Sequence, residues 1–200
     1  MYKEEPFISD ISGVVLTGGK SSRYGTNKAY VKISGTPMIL KVIKVMRELF
    51  RHIVLITNDP DEYASLGFDM YEDIIKGLGP LGGIYTALLS IEGGAGFFTA
   101  CDMPFIKKDL VEYMLEVGSG FDAVVPRVED KTEPLHAIYT KACIPAIKEV
   151  IDNGEFQVNR IYPMISVRYV EMEEIARFDP GFNSFFNINR PDDLRKVIDP

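Results

Sequence analysis

The chain has 200 residues, 46% of them hydrophobic, which is enough for one sizeable core and favours one domain. Acidic residues outnumber basic ones by 29 to 22, so the net charge is −7 and no basic excess is present to neutralise a nucleic-acid backbone. The uncharged stretch Leu78–Ile91 is broken by glycines and Pro80 and falls short of the ~20 apolar residues of a membrane span.

The opening Met1-Tyr2-Lys3-Glu4-Glu5-Pro6 lacks the apolar region of a secretory signal. Cys101 and Cys143 are too few for a disulfide framework, and without a CxxC pair they do not suggest structural zinc. These features predict an acidic, cytoplasmic globular protein that engages neither nucleic acid nor membrane.

Residues 1–12 read as a lead-in and residues 13–200 as a single domain. Val14-Val15-Leu16, stopped by Thr17-Gly18-Gly19, predicts a strand buried on both faces. A polar loop follows over 17–28. Thr36 is placed as an N-cap and Pro37 as the first helical residue, and apolar positions 39, 42, 43, 46, 49 and 50 share one helical face. Ile53–Ile56 is a second strand, and a short third lies within Leu66–Tyr71. Pro80 opens a helix over 81–91, Phe97–Cys101 is a buried strand, and Asp109–Val117 is helical.

Ala123–Val125 and Leu135–Tyr139 read as strands, the latter leading into a helix over 142–151. Ile165–Val170 alternates as a half-exposed strand. Phe185–Ile188 is strand-like, and Pro191 opens a last helix over 191–198. Strands alternating with helices predict an α/β fold, a mostly parallel open twisted sheet with helices on both faces. Ligands of such sheets bind beyond the carboxyl ends of the strands. The polar residues at 17–28, 57–59, 73, 102 and 187–190 are therefore the candidates.

Four motifs stand out. Leu16–Lys28 combines three glycines with Lys20, Arg23 and Lys28, which suits a triphosphate; it fits neither the Walker A nor the GxGxxG spacing. A solvated polar loop accounts for the same composition. In Gly79-Pro80-Leu81-Gly82-Gly83-Ile84, two glycines in a first helical turn cost ~1 kcal/mol each relative to Ala, which calls for a ligand at the helix N-terminus or close strand–helix packing.

Asp102, directly after a buried strand, can hold Mg²⁺ together with phosphate oxygens or cap the following turn. Asn187 and Asn189 lie in Phe186–Leu194, where an Asn is either a turn residue or a neutral ligand at the mouth of a site. Asn58 and Asp73 end strands and can hydrogen-bond a base or ribose. His136 and Cys101 sit in apolar surroundings and read as structural.

Taken together, these segments resemble a known family. Leu16–Lys28 resembles the LAGGxSxRMGxDK loop of nucleotidyltransferases that activate sugars, polyols and cofactors. Gly79–Ile84 resembles the GPLAGI segment of one branch, the molybdenum cofactor guanylyltransferases. Cys101–Pro104 resembles that branch's CDxP motif, Pro134–Tyr139 its PLHALY segment, and Phe186–Leu194 its FxNINTPEDL close. The likeness runs from about residue 13 to about 197. Thr17, Tyr24, Asn27 and Arg190 depart from the usual Ala, Met, Asp and Thr.

The resemblance implies a Rossmann-like nucleotidyltransferase fold. It also implies transfer of GMP from GTP to molybdenum-bearing molybdopterin, with release of pyrophosphate. Leu16, Thr17, Gly18, Asn58 and Asp73 would then bind the nucleoside, and Gly19, Lys20, Arg23 and Lys28 the phosphates. Arg23, Lys28 and Asp102 would carry catalysis, Asp102 would hold Mg²⁺, and Asn187 and Asn189 would face the acceptor. Transient contact with other cofactor-biosynthesis proteins is part of the same expectation. A cytidylyltransferase of the same cofactor, a sugar-phosphate nucleotidyltransferase and a non-catalytic nucleotide-binding protein stay open as alternatives.

Overall fold

A computed structural model describes residues 11–17 and 27–189, together with Asp193. Strand β1 (Ile11–Leu16) is buried along its whole length and starts earlier than the apolar run Val14–Leu16 suggests. Ser34 and Gly35 both take positive φ, 49° and 83°, and turn β2 (Lys32–Ile33) back onto β3 (Thr36–Pro37). Two such residues in succession match the twist of a tight hairpin. Thr36 is therefore a strand residue rather than an N-cap, and α1 (Met38–Leu49) is capped by Pro37 without a side-chain bond.

The chain continues through β4 (Ile53–Ile56), α2 (Pro60–Tyr63) and β5 (Asp69–Tyr71). Leu66 belongs to a 3₁₀ turn closed by Gly67 at φ 70°, so the third strand is shorter than the apolar pattern implies. Then come α3 (Gly79–Ser90), β6 (Ala95–Ala100), α4 (Lys108–Val117), β7 (Ala123–Val128), β8 (Lys131–Thr132) and β9 (His136–Thr140). The chain continues with α5 (Ile144–Asp152), β10 (Val167–Glu171) and α6 (Met172–Ile175).

The main sheet runs β10-β7-β9-β6-β1-β4-β5, with β8 paired to β7. β5, β4, β1 and β6 are mutually parallel. β9 lies antiparallel between β6 and β7, and β7 is parallel to β10. The pleat divides the core into two layers. Val15, Leu55 and Phe97 face α1 and α4, whereas Val14, Leu16, Val54, Ile56 and Phe98 face α3 and α5. The α/β expectation with helices on both faces therefore holds, with β9 and the short β8 antiparallel in a mostly parallel sheet.

Phe185–Ile188 is not a strand. Asn183–Phe185 is a 3₁₀ turn, and in the run after it Ile188 N–H donates to the Asp102 carbonyl at 3.0 Å. Asp102 sits in a turn, so no ladder can propagate from it. The expected helix over 191–198 lies outside the described residues. Among the described residues no helix is long and apolar enough to cross a membrane.

Candidate functional site

The adjacent strands β5, β4, β1 and β6 run in one direction, so the residues that follow them line one edge of the sheet in the order Asp73, Asn58, Thr17, Asp102. Three inter-strand spacings of ~4.8 Å make that edge roughly 14 Å wide. Its backbone is tied down. Thr17 N–H donates to Ile56 O at 3.0 Å, Cys101 N–H to Leu16 O at 3.0 Å, and Thr57 N–H to Tyr71 O at 3.0 Å. The Thr17 hydroxyl donates to the same Ile56 carbonyl, also at 3.0 Å. The backbone atoms of Leu16 and Thr17 expected to bind the nucleoside are thus partly committed to the sheet, each carbonyl keeping a second lone pair.

At the β6 end three distant segments converge. Lys28 lies on a 3₁₀ turn, Lys28–Tyr30, that Asn27 caps by accepting Ala29 N–H at 2.9 Å. Its ammonium donates to the Asp102 carboxylate at 2.7 Å and to Asn189 Oδ1 at 2.8 Å. The Lys28 and Asp102 side chains keep only 18% and 22% of their exposure. The Asp102 backbone carbonyl accepts from Ile188, whose buried side chain packs with Ile33 and Met38. That anchor leaves Asn187 and Asn189 exposed on either side of Ile188 and presents Asn189 to Lys28. Asn189 N–H in turn donates to Asp193 at 2.9 Å.

At the other end Asn58 and Asp73 hold each other. Asn58 Nδ2 donates to Asp73 Oδ2 at 2.7 Å, and Asp73 N–H to Asn58 Oδ1 at 3.3 Å. Asp73 Oδ1 is shielded from solvent and has no partner, an arrangement that a donor from a ligand would relieve. Thr86 of α3 accepts Ile74 N–H at 3.0 Å and fixes the chain after Asp73 to that helix.

The two glycines of α3 are explained by packing. A Cβ on Gly83 would stand 3.1 Å from Leu16 Cδ2, and one on Gly82 would stand 3.0 Å from Leu78 Cβ and 3.2 Å from the Ile75 carbonyl. Of the two readings open from the sequence, close packing is the one these distances support, against β1 at Gly83 and against the segment before the helix at Gly82.

Gly18, Gly19, Lys20 and Arg23 lie outside the described residues. Among those that are described, the structure joins Lys28, Asp102 and Asn189 in one cluster and Asn58 with Asp73 in another. Tyr63 and Glu62 escaped the sequence reading. Tyr63 is buried, with its hydroxyl beside Asn27, and Glu62 accepts from the Asn27 amide. Nothing in the sequence marks Tyr63 as more than a core aromatic.

Burial pushes the Cys101 thiol up to about 12, with Asp102 adding to the effect, and pushes His136 down to about 3. At neutral pH the thiol is protonated and the imidazole uncharged. His136 is enclosed edge-on by Phe97 and Phe185 at 5.1 and 5.2 Å. The polar edge thus pairs an ammonium with a carboxylate and amides, groups of the kind that can position a phosphate.

Comparison with known proteins places the fold and the family. The family model described as MobA-like NTP transferase domain matches residues 13–165. A probable molybdenum cofactor guanylyltransferase of Pelotomaculum thermopropionicum is 37% identical over 186 residues, covering 93% of this chain and 91% of its own. A molybdenum cofactor guanylyltransferase of Desulfosudis oleivorans is 30% identical, with 94% of each chain covered. The crystal structure of molybdopterin-guanine dinucleotide biosynthesis protein A from Archaeoglobus fulgidus superposes with a TM-score of 0.79 at 30% identity, covering 93% of this chain and 96% of that one. The chain is a nucleotidyltransferase and belongs to the MobA-like NTP transferase domain family.

Proposed function

We propose that the protein transfers GMP from GTP to the terminal phosphate of molybdenum-bearing molybdopterin, forming the guanine dinucleotide cofactor and pyrophosphate. The observation that carries the reading is the meeting of Lys28, Asp102 and Asn189 at the carboxyl edge of the sheet, with 2.7 and 2.8 Å contacts. An acceptor phosphate oxygen attacks the α-phosphorus of GTP, the bond to the bridging oxygen breaks, and pyrophosphate departs with that electron pair. A phosphate dianion attacks without losing a proton, so the reaction does not call on a general base, in keeping with the neutral, enclosed His136.

In this reading Lys28 neutralises charge on the reacting phosphates, and Asn187 and Asn189 face the acceptor. Asn58 and Asp73 receive the nucleoside, with the unpartnered Asp73 oxygen available to a guanine N–H. Gly18, Gly19, Lys20 and Arg23 enter on the family likeness alone.

The donor set suits Mg²⁺. Oxygens of Asp102 and Asn189 converge on one cation, here the Lys28 ammonium. Mg²⁺ is usually held by one or two carboxylates plus substrate phosphates rather than by a full protein cage. Among the described residues no group of three or more His, Cys, Asp or Glu could hold a metal by itself. Bound at Asp102, Mg²⁺ would offset the charge that builds on the departing pyrophosphate. The free thiols Cys101 and Cys143 accord with a cytoplasmic location.

The test is a nucleotide panel with Mg²⁺, read as thermal stabilisation and pyrophosphate release. A ligand at ~100 times its Kd stabilises the fold by ~2.7 kcal/mol, so GTP is expected to raise the melting temperature more than CTP, UTP or ATP. A larger shift with CTP transfers the assignment to cytidylyl transfer. Binding without turnover in the presence of acceptor rejects the enzyme reading.

A further inference from the structure

Tyr63 ends α2, just beyond the β4 edge that carries Asn58, and retains 3% of its exposure. Its ring stacks on Tyr30 with centroids 5.9 Å apart. Its hydroxyl lies where two parts of the site meet. Asn27 Nδ2 donates to it at 2.9 Å, and the hydroxyl faces the Thr17 carbonyl at a long 3.5 Å and Asn27 Oδ1 at 3.2 Å.

The bonding is closed around Asn27. Its amide has two N–H groups, one for Tyr63 and one for the Glu62 carboxylate, and its oxygen accepts Ala29 N–H at 2.9 Å. Tyr30 OH adds a bond to the Glu62 carbonyl at 2.7 Å. Burial raises Tyr63 to about 12, so the phenol keeps the proton it offers to Thr17 or Asn27.

Thr17 and Asn27 bracket residues 18–26, and Lys28 follows Asn27 directly. We propose that Tyr63 is a positioning residue for nucleotide binding, whose hydroxyl holds the Thr17 carbonyl and the Asn27 side chain together so that Lys28 faces Asp102. This rests on the nucleotidyltransferase reading above and adds to it a residue that touches no phosphate.

Asn27 is the matching half of the device. A carboxylate at that position, as in the resembling LAGGxSxRMGxDK loop, has no N–H for Tyr63 or Glu62 and would stand against the Glu62 charge. In this chain, then, the amide is required by the residue it meets.

The experiment compares Mg-GTP binding by calorimetry and steady-state kinetics in wild type and Tyr63→Phe, which keeps the ring and its stacking. The expected result is a ~10-fold weaker Kd and a matching rise in the KM for GTP, the size of one net hydrogen bond, with an unchanged KM for the acceptor. Tyr139→Phe is the control. It deletes a buried hydroxyl bonded to Tyr162 and Pro134 at 3.1 Å each, within the α3 and α5 layer, and should lower the melting temperature while leaving GTP binding intact.

Asn27→Asp is a second variant expected to lose ~10-fold in GTP affinity, and Glu62→Gln in the same chain should recover most of it. Wild-type GTP affinity in both Tyr63→Phe and Asn27→Asp overturns the positioning role. A wild-type chain that binds no nucleoside triphosphate overturns the functional reading itself.

Discussion

Asp102 commits its backbone carbonyl to Ile188 and its carboxylate to Lys28. The turn after β6 closes through Met103 N–H and Ala100 O at 3.2 Å. The turn therefore does not need the carboxylate, and the two readings open from the sequence separate experimentally. Replacing the carboxylate by its amide keeps shape and removes the charge. Asp102→Asn should lower kcat by ~10³-fold, since metal polarisation and phosphate neutralisation are worth several kcal/mol. Thermal stability should change little, because a partly exposed ion pair contributes ~1 kcal/mol or less. Turnover and melting measured on one preparation check both halves; near-normal turnover rejects the metal role.

Asp102 and Lys28 were readable as candidates because charged residues beside buried runs are conspicuous. Their pairing was not, because 74 positions separate them. The Thr17 hydroxyl adds a second bond to Ile56 that an Ala at that position could not make.

At the scale of elements, α3 shows how a motif can be seen correctly and still be open to two readings. Two glycines in one helical turn are visible in the sequence, whereas what they touch depends on β1 and on the segment before the helix. Gly82→Ala should destabilise the fold by about 1 kcal/mol in urea unfolding. Overpacking costs ~1–3 kcal/mol and the helix-propensity gain returns ~1 kcal/mol. Leu78 Cβ and the Ile75 carbonyl are the neighbours that cannot yield.

Gly83→Ala meets the methyl tips of Leu16 and, at an ordinary 3.8 Å, of Ile56, and should be close to neutral. A Gly82→Ala protein as stable as wild type would return the motif to a ligand-binding explanation. The β2–β3 hairpin is hidden from sequence for a related reason. Two-residue strands are too short to show a period, and Ser34-Gly35 was the one local mark of the turn.

Over the whole molecule, two titrating groups, the buried His136 and the partly buried Glu133, act in opposite senses. Burial holds His136 at about 3, so between about 3 and 6.5 the unfolded chain binds a proton that the native chain does not, and stability falls as pH falls through that window. Burial raises Glu133 to about 7, so between about 4.5 and 7 the native chain holds the extra proton, and stability falls as pH rises. From pH 5 to 6.5 the two slopes oppose each other. His136→Asn should therefore unmask stability that declines with rising pH, and Glu133→Gln stability that climbs with it. Denaturant midpoints measured across that range check the pair, and slopes unchanged from wild type in both variants reject the assignment.

The sequence by itself determined the alternation of strands and helices, the two-faced core and the edge of the sheet on which polar residues collect. Each of these is written in local periodicity, because burial on both faces demands unbroken apolar runs and one-sided burial demands a stripe. It also carried the family, through motifs whose glycines and charges are contiguous. Only the tertiary structure decided that β9 runs antiparallel within the sheet, that the segment around Ile188 docks on Asp102, Lys28 and the Ile33–Met38 cluster instead of extending the sheet, and that Tyr63 stands between Thr17 and Asn27. Strand direction, docking and hydroxyl placement all depend on contacts between residues tens of positions apart, and such contacts leave no period in the chain.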